Sequence, residues 1–389
     1  MKLKTIKDLK SLKGKKVIVR VDFNVPLDAK GNVRNDKRIR FALPTLKYLL
    51  AKGADQLILM THVGRPKDCE KELMTGKIAE RLGKLLKMKV AKVNDWGEGG
   101  LPKAKIVMLE NLRFNAGEKS KNADEKAAFG KQLASLADVY VNEAFSNSHR
   151  KHASMVAVPK LISGYAGFGV GQEAEQIGKA LVKPKRPVVA VIAGLKADKL
   201  NAIYHMMKIA DTVCVGGALA YALRKVQGVN IGATKMDEEG MAEMADLVKE
   251  VSKSKKVLLP VDAVVAEKLD VKAKAKVVPL EKIGAGWMAL DIGPKTIKLY
   301  TDVIKKAKTI LWFGPLGVFE FAPFAKGTKA IGQAIAATKG LKIAGGGDTA
   351  TAIEKYKLEK KFTLVSTGGG ASLEMIEGKE LPGLSILKK

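Results

Sequence analysis

Short apolar runs rich in Val, Ile and Leu recur along the chain. Between them lie longer stretches in which apolar and charged positions recur with a helical period. The runs read as strands at residues 16–21, 56–61, 105–109, 138–141, 188–192, 212–215, 256–259, 309–312, 341–344 and 362–366. Most lack the strict alternation of a half-exposed strand, which marks central parallel strands covered on both faces. The regular exchange of strand and helix predicts doubly wound, Rossmann-like sheets of the α/β class. At 389 residues the chain exceeds one ordinary core and suits two domains. A helical stretch at 171–183, closed by Pro184-Lys185-Arg186-Pro187, is the expected linker. This divides the chain into a domain over 1–170, a linker helix over 171–187 and a second domain over 188–372.

Nearly every run ends in polar, basic or glycine residues. In open α/β sheets ligands bind outside the carboxyl ends of the strands, so these breaks are the candidate chemistry. The first half offers Asp22-Phe23-Asn24, His62-Val63-Gly64-Arg65, Glu110-Asn111-Leu112-Arg113 and Asn142-Glu143-Ala144-Phe145. Arginines, a histidine and hydrogen-bonding side chains suit a small anionic substrate bearing hydroxyls. The second half offers Gly194-Leu195-Lys196, Gly216-Gly217-Ala218, Phe313-Gly314-Pro315, Gly345-Gly346-Gly347-Asp348-Thr349 and Thr367-Gly368-Gly369-Gly370. Glycine and lysine suit a nucleotide, whose phosphates accept from backbone amides. The Gly345 turn stands between an apolar run and a helical stretch. Its bare amides and the positive end of the helix dipole form a phosphate seat. It lacks the Lys-Ser/Thr ending of a Walker loop, so a P-loop NTPase is not the reading. Taken alone, such a turn is as readily a tight strand-to-helix connection.

Composition narrows the picture. A net charge of +29 raises nucleic acid as a partner, but the excess is spread over both halves and aromatics are only 5% of residues, which leaves little for base stacking. Lysines that alternate with apolar positions are solvated helix faces, and nucleic acid is not expected. No apolar stretch is long enough to span a membrane, and Met1-Lys2-Leu3-Lys4 does not open a signal peptide. Cys69 and Cys214 stand far apart without metal spacing and read as reduced thiols, which fits a cytoplasmic protein.

In order along the chain stand Arg20-Val21-Asp22-Phe23-Asn24-Val25-Pro26, Thr61-His62-Val63-Gly64-Arg65-Pro66 and Leu109-Glu110-Asn111-Leu112-Arg113-Phe114. They are followed by Gly314-Pro315-Leu316-Gly317-Val318-Phe319-Glu320, the Gly345 turn and Ser366-Thr367-Gly368-Gly369-Gly370-Ala371-Ser372. Together these resemble the phosphoglycerate kinase family, collinear from about Val17 to the C-terminus. The resemblance implies reversible phosphoryl transfer between 1,3-bisphosphoglycerate and ADP, with Mg²⁺. It also implies a monomer whose two lobes face each other across a cleft and bend at a hinge, with a tail from about 373 returning to the first domain.

The resemblance assigns substrate binding to Asp22, Phe23, Asn24, Arg38, His62, Val63, Gly64, Arg65, Arg113 and Arg150. Lys196, Lys199, Gly216, Gly217, Gly293, Gly314, Pro315, Glu320, Gly346, Gly347, Asp348 and Thr349 are the expected nucleotide contacts, with Asp348 as the metal ligand. Arg38, Lys196, Gly346 and Gly369 are the expected catalytic set. The family pattern is broken at Leu195, at Phe313 where an Asn is usual, at Glu143 where an Asp is usual, and after Lys196, where the loop is one residue short. An alternative stays open at this point: a weakly active paralogue that binds nucleotide or nucleic acid through its basic surface. A dinucleotide oxidoreductase is excluded, since no Gly-x-Gly-x-x-Gly follows the first strand.

Overall fold

The computed structural model describes residues 2–96 and 100–389. Its contacts divide the chain into two units, one of Met1–Glu175 with Glu380–Lys389 and one of Gln176–Lys379.

The first unit is built on a six-stranded parallel sheet. β1 (Lys16–Val21), β2 (Gln56–Met60), β3 (Ala91–Val93), β4 (Ile106–Leu109), β5 (Val139–Glu143) and β6 (Ser163–Ala166) lie in the order β3-β4-β2-β1-β5-β6. β1 is buried from Val17 onward and β2, β4 and β5 throughout, as unalternated apolar runs require. Helix Lys37–Ala51 turns Ile39, Ala42, Leu46 and Leu49 into the core beneath this sheet. Because all six strands are parallel, the polar breaks after β1, β2, β4 and β5 emerge at one end.

The second unit holds β7 (Val188–Ala193), β8 (Thr212–Gly216), β9 (Val257–Leu258), β10 (Asp262–Ala266), β11 (Lys276–Pro279), β12 (Met288–Ile292), β13 (Thr309–Phe313), β14 (Leu341–Gly345) and β15 (Leu364–Ser366). Six of them form a parallel sheet, β15-β14-β13-β7-β8-β9, and three an antiparallel sheet, β11-β10-β12. The winding direction reverses between β7 and β13, which pair directly, with Ile192 opposite Phe313. That is the switch point at which an open α/β sheet leaves a crevice.

Three features differ from the sequence reading. The antiparallel sheet and strands β3 and β6 were not expected. β10 follows β9 after only Leu259, Pro260 and Val261, so the two merge into one apolar run, and the lysines before β11 mask its pattern. The connecting helix is Phe168–Val182, and the division falls inside it. The returning tail begins at Glu380 rather than near 373, because Gly370–Ile376 is a helix that buries Ala371, Ser372 and Ile376. From Glu380 the chain is tied to the first unit by Gly383 N–H donating to the Ser148 carbonyl at 2.8 Å and by Lys4 N–H donating to the Leu387 carbonyl at 2.8 Å.

Candidate functional sites in the two units

At the carboxyl end of the first sheet, cations gather without enough carboxylates to neutralise them. Arg38 stands in the first turn of its helix, where the positive end of the dipole disfavours a cation. Its Nη1 donates to Asp22 Oδ2 at 2.7 Å, and Ser146 Oγ donates to the same oxygen at 2.5 Å. Arg38 remains partly exposed, so its guanidinium is held but not consumed.

Arg65 is exposed, whereas Arg113 and Arg150 are held nearer the interior. Burial comes first in lowering the Arg113 guanidinium to about 10, followed by repulsion from Arg150, Arg20 and Arg65. Arg150 is lowered by burial, then by Arg20 and Arg65. Mutual repulsion among four guanidiniums is the mark of a site waiting for an anion.

Arg20, absent from the predicted set, is the most buried of them. A fully enclosed guanidinium must spend its donors inside the protein. Nε donates to Ser154 Oγ at 2.9 Å, Nη1 to the Val21 carbonyl at 2.7 Å and Nη2 to His62 Nδ1 at 3.1 Å, with Glu118 Oε1 at 3.9 Å. Glu118 in turn accepts from the Ser154 hydroxyl at 2.7 Å. A charged residue inside the otherwise apolar run Val17-Ile18-Val19-Arg20-Val21 was the available signal.

This network fixes the charge of His62. A guanidinium has no acceptor, so the Nδ1 it approaches must be unprotonated, and the ring proton sits on Nε2. Burial, then Arg20, Arg113 and Arg150, drive its pKa far below the ordinary 6.5. His62 therefore offers one neutral N–H and adds nothing to the positive field.

Three predicted contacts have backbone groups already bonded within the protein. Phe23 is fully buried, and its amide donates to Thr61 Oγ1 at 3.0 Å. Val63 is buried, with its amide bonded to Asn111 Oδ1 and its carbonyl to Asn111 Nδ2. Gly64 donates to Asn24 Oδ1 at 2.9 Å and accepts from Arg113 Nη1. Its φ of 61° explains the glycine there, and a Cβ would meet Leu73 at 2.8 Å. Asn24 thus fixes the loop after β2 through its carbonyl oxygen, and its amide nitrogen has no partner among the described residues.

The second unit holds a cavity of ≈ 870 Å³ at its switch point. Predicted residues that line it are Lys196, Lys199, Gly217, Gly314, Pro315, Glu320, Gly346, Gly347, Asp348, Thr349 and Gly369. The bare backbone is plainest at Gly347 and Gly369, where an added Cβ would meet nothing within 4 Å, and at Gly346, where only Thr349 Oγ1 lies near, at 3.5 Å. Gly346 caps helix Gly347–Lys355 at φ 96°, so the first amides of that helix open toward the cavity. Thr349 is fully buried and its hydroxyl accepts the Gly314 amide at 2.7 Å, which ties the loops after β13 and β14 together. Leu195 and Leu269, each about half exposed, give the cavity apolar lips.

Two predicted contacts do not line the cavity. A Cβ at Gly216 would stand 2.2 Å from Leu316 Cδ1, and one at Gly293 would stand 2.3 Å from the Asp262 carboxyl. Both glycines serve close packing behind the site. Sequence reading also missed Tyr221, Thr234, Lys235, Glu267, Met288 and Leu290, which line the cavity from around the unrecognised antiparallel sheet. Phe313 lies beneath the phosphate seat, since a Cβ at Gly345 would fall 2.2 Å from its ring.

Two parallel α/β units, one presenting arginines at its strand ends and the other a glycine-lined cavity beside two lysines, define a doubly wound α/β phosphotransferase. Comparison with known proteins resolves the class further. A family model described as phosphoglycerate kinase matches residues 6–379. The phosphoglycerate kinase of Moorella thermoacetica is 45% identical, with 98% of each chain covered, and that of Dictyoglomus turgidum is 44% identical over the whole of both. Among solved structures, phosphoglycerate kinase from Coxiella burnetii matches with a TM-score of 0.89 at 35% identity, covering 99% of this chain and 98% of that one. The enzyme from Pyrococcus horikoshii OT3 matches at 0.84 and 30%, with the same coverage. The chain belongs to the phosphoglycerate kinase family, and is a phosphotransferase with a carboxyl group as acceptor.

Proposed function

We propose that the first unit holds 3-phosphoglycerate or its acyl phosphate, that the second holds ADP or ATP, and that a phosphoryl group passes between them. The observation that carries this reading is the pairing of an under-neutralised arginine cluster with a cavity whose helix-opening glycines face empty space. Arg65, Arg113 and Arg150 would grip the phosphate and carboxylate of the substrate, and the Nε2–H of His62 and the Asn24 amide would accompany them. Asp22 would accept from the substrate hydroxyl.

The acceptor carboxylate is already ionised at neutral pH, so no general base is required. What the reaction needs is positioning and relief of repulsion between two anions. Arg38 is suited to the second task, because Asp22 and Ser146 fix its direction while leaving it partly exposed. Lys196 and Lys199 would do the same from the nucleotide side. Glu320 would meet the ribose, and Leu195 and Leu269 the base.

The donor set also fits Mg²⁺ carried by the nucleotide. Among the described residues no three His, Cys, Asp or Glu side chains gather as a cage, and this ion commonly takes one or two carboxylates and completes its shell with phosphates and water. Asp348, exposed beside Gly347, would be the protein's donor. Bound there, the ion would neutralise charge on the transferring phosphate. In-line transfer further requires the two ligands to meet, so turnover would include a hinge-bending step that excludes water. We read the chain as a monomer acting in the cytoplasm. No described helix is long and apolar enough to cross a membrane.

The test is a coupled assay of ATP-dependent phosphorylation of 3-phosphoglycerate, run beside GTP and across Mg²⁺ concentrations. Arg38→Ala should lower kcat by about 10²–10³, the usual cost of losing one donor to developing charge, while ADP still binds. Near-normal kcat in that variant would remove Arg38 from the transfer step. Turnover itself opposes the paralogue alternative, which the four relatives above do not favour.

A further inference from the structure

A second concave surface lies in the first unit, apart from the arginine cluster. Helix Ala123–Ala134, the helical segment 153–161 with Lys151 before it and the C-terminal helix Pro382–Ser385 line a groove of ≈ 820 Å³. Its apolar floor is made by Ala127, Val156, Ala157, Leu161, Pro382 and Ile386. Leu161 is 56% exposed there, an uncommon position for a leucine with nothing over it. Around the floor stand Lys121, Lys126, Lys131, Lys151 and Lys160, and among the described residues no Asp or Glu lines the groove. None of the five ammonium groups has a carboxylate partner within ion-pair distance among the described residues. The proposed kinase reaction uses none of these residues.

The lining selects its occupant by chemistry. Five unpaired lysines call for an anion, and the aliphatic floor calls for a chain. A second copy of this protein would bring a net charge of +29 against that rim. A nucleic acid would find no Phe, Tyr or Trp on which to stack. The volume lies within the usual range for a small-molecule site, roughly 300–1,000 Å³. We infer that this groove binds a free single-chain anionic amphiphile, a long-chain fatty carboxylate, with its tail along Leu161 and Ile386 and its head among the lysines.

Calorimetric titration with laurate, below its micellar concentration and with Mg·ADP saturating the nucleotide cavity, tests this on the full chain. One saturable site is expected. Decanoate should bind about 15-fold more weakly, since each buried methylene is worth roughly a factor of four, and dodecyltrimethylammonium should not bind. Leu161→Asp alters an exposed position and should weaken laurate at least about tenfold, and the double variant Lys126→Glu, Lys131→Glu should do the same. Phosphoryl-transfer turnover should persist in both as evidence of an intact fold. The inference is overturned by the absence of saturable binding or by equal binding of the cationic amphiphile. Unchanged affinity in both variants, or association with anionic vesicles but not with the free acid, would overturn it equally.

Discussion

Replacing Glu143 with Gln isolates the cost of one buried carboxylate. Glu143 ends β5 and is 3% exposed. Its Oε1 accepts the Gly169 amide at 3.0 Å at the start of helix Phe168–Val182, while Oε2 has no hydrogen-bond partner among the described residues. Gly167 makes the fit feasible, since a Cβ there would stand 1.9 Å from Oε2. Burial raises the carboxyl from 4.5 to about 7, with the amides of Gly169 and Val170 and the Thr45 hydroxyl opposing it only in part. Between those two values the folded chain keeps a proton that the unfolded chain has lost. Stability therefore falls as pH rises through the window, and the whole cost is present above it. At 1.36 kcal/mol per pH unit the displacement corresponds to about 3 kcal/mol. Gln has the same shape, keeps an acceptor for Gly169 and cannot ionise. In urea unfolding followed by circular dichroism, E143Q should exceed the parent by under about 1 kcal/mol at pH 5 and by about 3 kcal/mol at pH 8. A gain that does not depend on pH, or a loss at pH 8, would refute the reasoning, because the carboxylate would then be well solvated or required.

Other expectations concern single sites. His62 refuses a proton that the unfolded chain accepts below about pH 6.5, so stability should fall on acidification, by at most about 1.4 kcal/mol per pH unit from this residue. His62→Gln should flatten that slope, and the His62 ring signals in nuclear magnetic resonance should not titrate between pH 5 and 8. Gly217→Ala should lower the thermal midpoint, since φ is 67° and the new Cβ would stand 2.6 Å from the Gly194 carbonyl oxygen; an unchanged midpoint would mean the turn relaxes freely. Asp348→Ala should raise the Mg²⁺ concentration needed for half-maximal turnover, and an unshifted Mg²⁺ curve would remove it from the metal's surroundings.

All ten expected strands appear because a parallel strand covered on both faces writes itself as an uninterrupted apolar run. The antiparallel sheet was hidden because β10 follows β9 almost at once and β11 is flanked by lysines. The cationic site was legible as residue types but not as roles. Phe23, Val63 and Gly64 sit in the motif, yet their polar groups are bonded within the protein. Arg20, quoted in the motif but given no role, holds His62 in its neutral form. Which glycines face open space and which face packed neighbours depends on distances across the sheet, so Gly347 and Gly216 look alike in sequence and differ in place. The lysine-rimmed groove joins residues near 130, 155 and 385, a conjunction that only the returning tail creates.

Calorimetric titration of 3-phosphoglycerate and of Mg·ADP into two variants tests the division of labour between the units. Arg65 is exposed, and a Cβ added at Gly347 would meet nothing within 4 Å beyond its own helix, so Arg65→Ala and Gly347→Val should both leave the fold intact. Arg65→Ala should weaken 3-phosphoglycerate at least about tenfold and leave Mg·ADP unchanged, and Gly347→Val should do the reverse. Loss of both ligands in either variant, or the opposite pattern of losses, would contradict the assignment.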